Sequence, residues 1–134
     1  MKALLIPATV LFGTLAVAAP APHRHEPDKR GVYMPIAQAP EKNRNLQNPF
    51  EGQPDAIAAG KKLFLQHCAE CHGEDAQGAH RSANLRSSGV QNATPGELAW
   101  FLGNGNLAKG MPSWSGLPVE RLWQIVSYLK TLHK

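Results

Sequence analysis

The chain has 134 residues, with 14 basic side chains, 10 acidic side chains and two cysteines. Most of the positive excess lies before residue 50, because residues 50–134 carry eight basic and seven acidic side chains. No basic stripe with interleaved aromatic residues accompanies this charge, which argues against nucleic-acid binding. A folded part of about 85 residues is small, and domains of that size often add a disulfide, a metal or a cofactor to a limited core.

Residues 1–18 have the features of an export signal. Lys2 gives a short positive region, an apolar stretch runs from Leu4 to Val17, and Ala16-Val17-Ala18 has the small-x-small pattern that signal peptidase cuts. The stretch is shorter than the roughly 20 residues of a spanning helix, which favours cleavage after Ala18 over a retained anchor. We therefore expect a periplasmic protein with no transmembrane span in its mature chain.

Residues 19–49 are rich in proline, alanine and charge and show no apolar periodicity. Such a segment buries too little apolar surface to offset the entropy of ordering it. The sequence therefore predicts a flexible, partly extended arm or linker, followed by one folded domain over residues 50–134. His23 and His25 form an H-x-H pair, which in a tail of this kind is expected to be solvated.

Three helices are predicted in the folded domain. The first runs from Pro54 or Asp55 to Gln66, with apolar residues at helical spacing. The second opens with a capping box from Thr94 to Glu97 and stops at Gly103. The third runs from Pro118 to Leu132 with an apolar stripe on one side. No convincing alternating strand appears, so the predicted fold class is all-α.

Two long loops separate these helices, over residues 73–93 and 104–117. Loops of this length are uncommon in so small a domain unless they are functional or unordered. Three short helices joined by such loops cannot cover one another well. We therefore expect something other than helix packing to fill the middle of the domain.

Cys68, Cys71 and His72 form a C-x-x-C-H motif. A disulfide between the cysteines would be compatible with an oxidising compartment. A thioredoxin-like site belongs with a βαβ pattern, and structural zinc needs four ligands; the sequence offers neither. C-x-x-C-H is the attachment signature of haem c, because thiols three residues apart reach both vinyl groups and the next histidine ligates the iron. The motif thus predicts one covalently bound haem c.

Beyond this motif, the chain resembles the class I c-type cytochromes. Gly60, Phe64 and Cys68 keep the spacing of that family's first helix, and "WQIVSYL" is similar to its last helix, with Tyr128 as the matching aromatic residue. The resemblance covers about residues 55–132, and the arm has no counterpart in it. It implies a small cytochrome c fold, with three main helices around the haem and close contact between the first and last helices at Gly60.

The resemblance also implies a second axial ligand, Met111. This residue lies 39 positions after His72 in "GMPSW", and its Met-Pro dipeptide matches the family's axial-ligand motif. Pro112 would restrict the backbone and help aim the sulfur. The competing candidates are weaker, with His67 expected to face solvent; they are His67, His80, His133 and Met34.

The loop after the motif departs from the family pattern. The family usually has a proline whose carbonyl accepts the second N–H of the axial histidine, and Ala83 occupies that position here. A backbone carbonyl of any residue can accept this bond, so we expect the bond to remain and the loop to be less rigid. Trp114 and Arg81 or Arg86 are candidate donors to the haem propionates, although solvent-facing arginines are equally expected.

The function implied by this resemblance is one-electron transfer without catalysis. The expected donor is a quinone-linked complex or a periplasmic dehydrogenase, and the expected acceptor is a terminal oxidase or another redox protein. The chain would act as a monomer or as a subunit of a dehydrogenase complex. Two alternatives stay open: a haem c enzyme or gas or redox sensor in which Met111 is labile, and a disulfide module without haem.

Overall fold

The computed structural model describes residues 27–79 and 82–133. The predicted export signal and the first part of the predicted arm lie outside the described residues, as do His80, considered as a ligand, and Arg81, considered as a propionate donor. Within the described ranges the chain forms seven α-helices, one 3₁₀ turn at Leu107–Lys109 and two isolated bridges, but no strand. The helices are α1 (Met34–Ala37), α2 (Glu41–Arg44), α3 (Pro54–His67), α4 (Ala69–His72), α5 (Ser88–Gln91), α6 (Pro95–Asn104) and α7 (Val119–Leu129).

The predicted all-α class is confirmed, and the three predicted helices correspond to α3, α6 and α7. Helix α3 begins with Pro54 in its first turn and extends one residue beyond the predicted end, to His67. Helix α7 is shorter than predicted, because the chain turns at Lys130. No helix in the described ranges has the length and apolar character needed to cross a membrane.

Helix α6 begins at the predicted capping box. The Thr94 hydroxyl accepts a bond from the Glu97 N–H at 3.2 Å, and the Glu97 carboxylate accepts one from the Thr94 N–H at 2.8 Å. The helix ends at Asn104, one residue past the predicted stop, because Gly105 takes up the left-handed φ of +70° that turns the chain away. The start of α6 was therefore predicted correctly, whereas the helix ends one residue later than predicted.

Helices α3 and α7 cross in direct backbone contact at Gly60. A Cβ placed on Gly60 would lie 1.8 Å from the carbonyl oxygen of Gln124, so only glycine fits at this crossing. One turn further along α3, the fully buried ring of Phe64 packs on Tyr128 with 5.3 Å between ring centroids. The implied close contact between the first and last helices is thus present.

Residues 27–48 differ from the flexible arm predicted for this part of the chain. They form α1 and α2 and pack on the rest of the domain, with Val32, Ile36 and Ala39 buried. The physical reason is partly electrostatic. The fully buried carboxylate of Glu97 accepts bonds from Arg30 at 2.7 and 3.2 Å and from Arg44 at 3.1 Å. The charges that made this segment look solvated instead neutralise a buried acid.

Replacing Gly60 with alanine should destabilise the fold. The new methyl would force α3 and α7 apart, and overpacking of this kind costs roughly 1–3 kcal/mol, more than the gain in helix propensity. Gly103→Ala is the matched control, because a Cβ there meets nothing within 4 Å and alanine is favoured in a helix by up to about 1 kcal/mol. Urea unfolding of both variants measures the difference. Equal stability of the two variants would contradict the tight crossing.

The Glu97 ion pairs predict a dependence of stability on pH. Burial alone would raise the pKa of Glu97, but the bonds from Arg30 and the Thr94 N–H and the charges of both arginines outweigh it and lower the pKa from its ordinary 4.5. The ion pairs therefore stabilise the fold above that value, and their contribution is lost as the pH falls through the lowered pKa.

Accordingly, Glu97→Gln should lower the free energy of unfolding at neutral pH by about 1.5–3 kcal/mol. The difference from the unsubstituted protein should shrink as the pH falls below 4.5. Thermal unfolding at several pH values tests this, with Glu120→Gln, an exposed site in α7, as a control expected to change stability by less than about 0.5 kcal/mol. A deficit for Glu97→Gln that stays constant down to strongly acidic pH would refute the assignment.

Candidate functional site

A cavity of about 790 Å³ opens in the domain, beside the crossing of α3 and α7. Its volume lies within the range of ligand-binding cavities in proteins, roughly 300–1,000 Å³. Apolar side chains from several parts of the described chain form most of its inner wall. They include Ile36, Phe64, Leu85, Val90, Leu98, Phe101, Leu102, Ile125 and Leu129.

The three residues of the C-x-x-C-H motif all line this cavity. Cys68 is the residue between α3 and α4, and α4 is a single turn in which the Cys71 and His72 N–H groups donate to the Cys68 carbonyl at 3.2 and 2.9 Å. This turn brings both thiols to the cavity, and Cys68 is more buried than Cys71. The thiols are not joined to each other.

The two thiols differ in their surroundings. Burial, with a smaller contribution from neighbouring Cys71, raises the pKa of Cys68 to about 11. In the polypeptide without haem, the Cys68 side chain is therefore a neutral thiol at physiological pH, while Cys71 is exposed. A neutral, sheltered thiol such as that of Cys68 is a poorer nucleophile than an ordinary cysteine.

The ring of His72 is oriented by a hydrogen bond to the next loop. Nδ1 lies 2.9 Å from the carbonyl oxygen of Ala83, and because a carbonyl can only accept, Nδ1 is the donor, which in the neutral imidazole leaves the lone pair on Nε2. This is the bond expected from the position of Ala83. The loop is held in place by a further bond, from the Gly78 N–H to the His72 carbonyl at 2.8 Å.

Met111 reaches the same cavity from the loop between α6 and α7. Its N–H and carbonyl pair with the carbonyl and N–H of Asn106 at 3.0 and 2.8 Å, so that a small antiparallel bridge holds the residue. Gly105 allows the close return of the chain, since a Cβ there would lie 2.5 Å from the Pro112 carbonyl group. The structure thus brings Cys68, Cys71, His72 and Met111 to one cavity.

The structure corrects the expectation for His67 and gives no support to Arg86 as a donor to the haem propionates. His67 does not simply face solvent; it is half-buried, lines the cavity and packs against Trp114 with its ring tilted by 52° and 5.2 Å between ring centroids. Trp114 also lines the cavity, as expected of a residue near the haem. Arg86 instead donates to the Asp75 carbonyl at 2.7 Å and is not among the lining residues.

Two lining residues were missed because they belong to the predicted arm. Tyr33 and Ile36 enter the cavity wall from α1 and the residue before it. The short apolar group of Val32, Tyr33 and Ile36, with helical spacing between the first and last, was the only sequence signal that pointed to packing here.

The residues that line the cavity fit a covalently attached haem on three grounds. The wall is largely apolar, as a porphyrin ring requires. Two thiols stand three residues apart on one turn, and the adjacent histidine presents an unprotonated nitrogen fixed by its Ala83 bond. A thioether sulfur, which is a soft ligand for iron, shares the cavity.

Comparisons with known proteins agree with this chemistry. Residues 55–129, more than half of the chain, match the family model described as cytochrome c oxidase, cbb3-type, subunit III. The chain is 36% identical over 76 residues to the cbb3-type cytochrome c oxidase subunit CcoP of Rubrivivax gelatinosus, covering 54% of this chain and 24% of that protein. Over 104 residues it is 32% identical to the quinohemoprotein alcohol dehydrogenase ADH IIB of Pseudomonas putida, covering 76% of this chain and 15% of that protein.

These two relatives are much longer than the chain, which spans about a quarter of the first and about a sixth of the second. Cytochrome c550 of Pseudomonas aeruginosa is closer in length: it is 26% identical over 140 aligned positions, covering 99% of this chain and 94% of that protein. The crystal structure of cytochrome CL from Methylophaga aminisulfidivorans shares the fold, with a TM-score of 0.57, 23% identity and coverage of 65% of this chain and 59% of that one. With the family model covering the folded domain, the chain belongs to the monohaem class I c-type cytochromes, whose haem c is covalently attached.

Proposed function

We propose that the protein is a one-electron carrier in which Cys68 and Cys71 hold the haem and His72 and Met111 ligate its iron. The observation that supports this most directly is that these four side chains line one apolar cavity. A haem with both axial positions filled favours electron transfer over the binding or activation of small molecules. The rival function, a haem enzyme or sensor with a labile methionine, has no observation in its favour.

When bound, haem c supplies an iron whose charge changes by one as an electron arrives or leaves. The chain's own residues limit how far its surroundings move with that change. The Ala83 carbonyl holds the His72 ring, and the bridge to Asn106 holds the backbone of Met111. The largely apolar wall disfavours water in the cavity. Ligands that stay in place in both states keep the reorganisation small, which a rapid carrier requires.

Partners, location and domain limits are further parts of the proposal. A quinone-linked complex or a dehydrogenase would donate the electron, and an oxidase or another redox protein would accept it. The names of two relatives support this choice of partners, because one is an oxidase subunit and another is a quinohemoprotein alcohol dehydrogenase. Residues 1–18 would direct export to the periplasm and be removed after Ala18, and residues 50–134 would form the cytochrome domain together with the segment 27–48 that packs on them. The protein would act as a monomer or as a subunit of a dehydrogenase complex.

A redox titration tests the proposed function. The purified haem protein should titrate reversibly with the slope of a single one-electron couple, and its reduced form should not bind carbon monoxide rapidly, because both axial positions are filled. The titration is followed by visible absorption in the presence of mediators. Rapid carbon monoxide binding by the reduced protein would instead favour the enzyme or sensor function.

Replacing Met111 with leucine should remove the sulfur ligand with little change in volume. We expect loss of the weak far-red absorption band of sulfur-ligated ferric haem, a lower reduction potential and rapid carbon monoxide binding. Met34→Leu is the matched control, because Met34 is exposed on α1 and does not line the cavity. If Met111→Leu keeps the far-red band, another residue ligates the iron and the assignment of Met111 is wrong.

A further inference from the structure

The segment 27–48 is attached to the domain at several separate places. Arg30 and Arg44 both bond the buried Glu97 carboxylate on α6. The Tyr33 N–H donates to the carbonyl of Gly89, in the short helix α5, at 2.7 Å. Asn48 donates to the Ser127 hydroxyl at 2.9 Å and to the Trp123 carbonyl at 3.1 Å, both on α7. The segment is therefore fixed to α5, α6 and α7 at once.

Its fit against α6 is as close as that between α3 and α7. A Cβ placed on Gly96 would lie 1.9 Å from the carbonyl oxygen of Asn43, so α6 carries a glycine where α2 passes over it. The Thr94 hydroxyl, besides capping α6, donates to the Arg44 carbonyl at 2.9 Å. Contacts at this distance leave no space for water between the segment and the start of α6.

The apolar residues of the segment join the core and reach the cavity. Val32 is fully buried and Ile36 is 3% exposed, and both belong to the same apolar cluster as Phe64 and Leu98. Tyr33 and Ile36 line the cavity itself. The neighbouring Met34, on the same short helix as Ile36, is 42% exposed and does not contribute to the lining.

We propose that segment 27–48 is a wall of the haem cavity, in which Tyr33 and Ile36 keep water from the bound haem and raise its reduction potential. The inference rests on the proposed function, since it assumes that haem occupies this cavity. Burial is one of the means by which a protein sets a haem potential. Water stabilises the iron centre more in the oxidised state, which has the greater positive charge, so an opened wall lowers the potential.

The glutamate anchor makes the wall persistent. A wall held only by apolar contacts could detach and close again, exposing the haem for part of the time. The bonds from Arg30 and Arg44 to Glu97 oppose that detachment, because separating the segment would leave the carboxylate without these partners. Tyr33 and Ile36 are thus positioning residues for the haem environment, and Arg30, Arg44 and Glu97 hold the segment that carries them.

The test compares three substitutions in the haem-bound protein: Tyr33→Ala, Ile36→Ala and the control Met34→Ala. Each variant is equilibrated with a redox dye of fixed potential, and the equilibrium constant for electron exchange is measured by absorption. We expect the two wall variants to shift this constant toward the oxidised protein by about threefold or more, which for one electron is about 28 mV. The control should match the unsubstituted protein.

The outcomes separate the two proposals. If the unsubstituted protein carries haem and exchanges one electron but neither wall variant shifts the constant, or Met34→Ala shifts it equally, the wall is refuted and the proposed function stands. If the unsubstituted protein carries no haem, the proposed function itself fails. If Ile36→Ala does not retain haem, Ile36→Val, which removes fewer atoms, is used in its place. The same comparison with Met34→Ala then tests the proposal.

Discussion

The contact of α3 and α7 at Gly60 is the constraint on which the rest of the structure depends. The backbones meet there without a side chain between them, and Phe64 and Tyr128 pack one turn beyond. Since α3 leads directly into Cys68 and α4, the crossing fixes the position of the two thiols and of His72. A shift of this contact would move the whole C-x-x-C-H motif relative to the cavity wall formed by α6 and α7.

The cavity is built from parts of the chain that are far apart in sequence. The C-x-x-C-H turn, the Met111 loop and the segment 27–48 each contribute to its lining, and each is held by its own hydrogen bonds. His72 is held through Ala83, Met111 through Asn106, and the segment through Glu97. The side chains that line the cavity are thus positioned by backbone hydrogen bonds and charge contacts.

Local signals in the sequence predicted the main helices and the candidate ligands. The capping box at Thr94 and the proline at the start of α3 each act within a few residues, so they can be read without a fold. The C-x-x-C-H motif is local for the same reason. The role of Gly60 depends on a distant contact with Gln124, and the family resemblance implied it. The packing of residues 27–48 was not predictable in this way, because proline and charge counts describe a solvated arm and a packed segment equally.

The contacts that contradict the predicted flexible arm join residues far apart in the sequence. Glu97 lies 67 residues from Arg30 and 53 from Arg44, and no periodicity relates charges at such separations. The contact between the rings of His67 and Trp114 is similarly non-local, and it places at the cavity a histidine expected in solvent. The sequence predicted helices α3, α6 and α7. The contacts that Glu97 and Trp114 make with distant residues required the structure.

Peptide mapping of the protein isolated from its natural compartment tests the central claim most directly. After denaturation and proteolysis, mass spectrometry should find one peptide containing Cys68, Cys71 and His72 that carries the additional mass of a haem through two thioether bonds. Recovery of that peptide with free thiols, or with a disulfide between Cys68 and Cys71, would contradict the account.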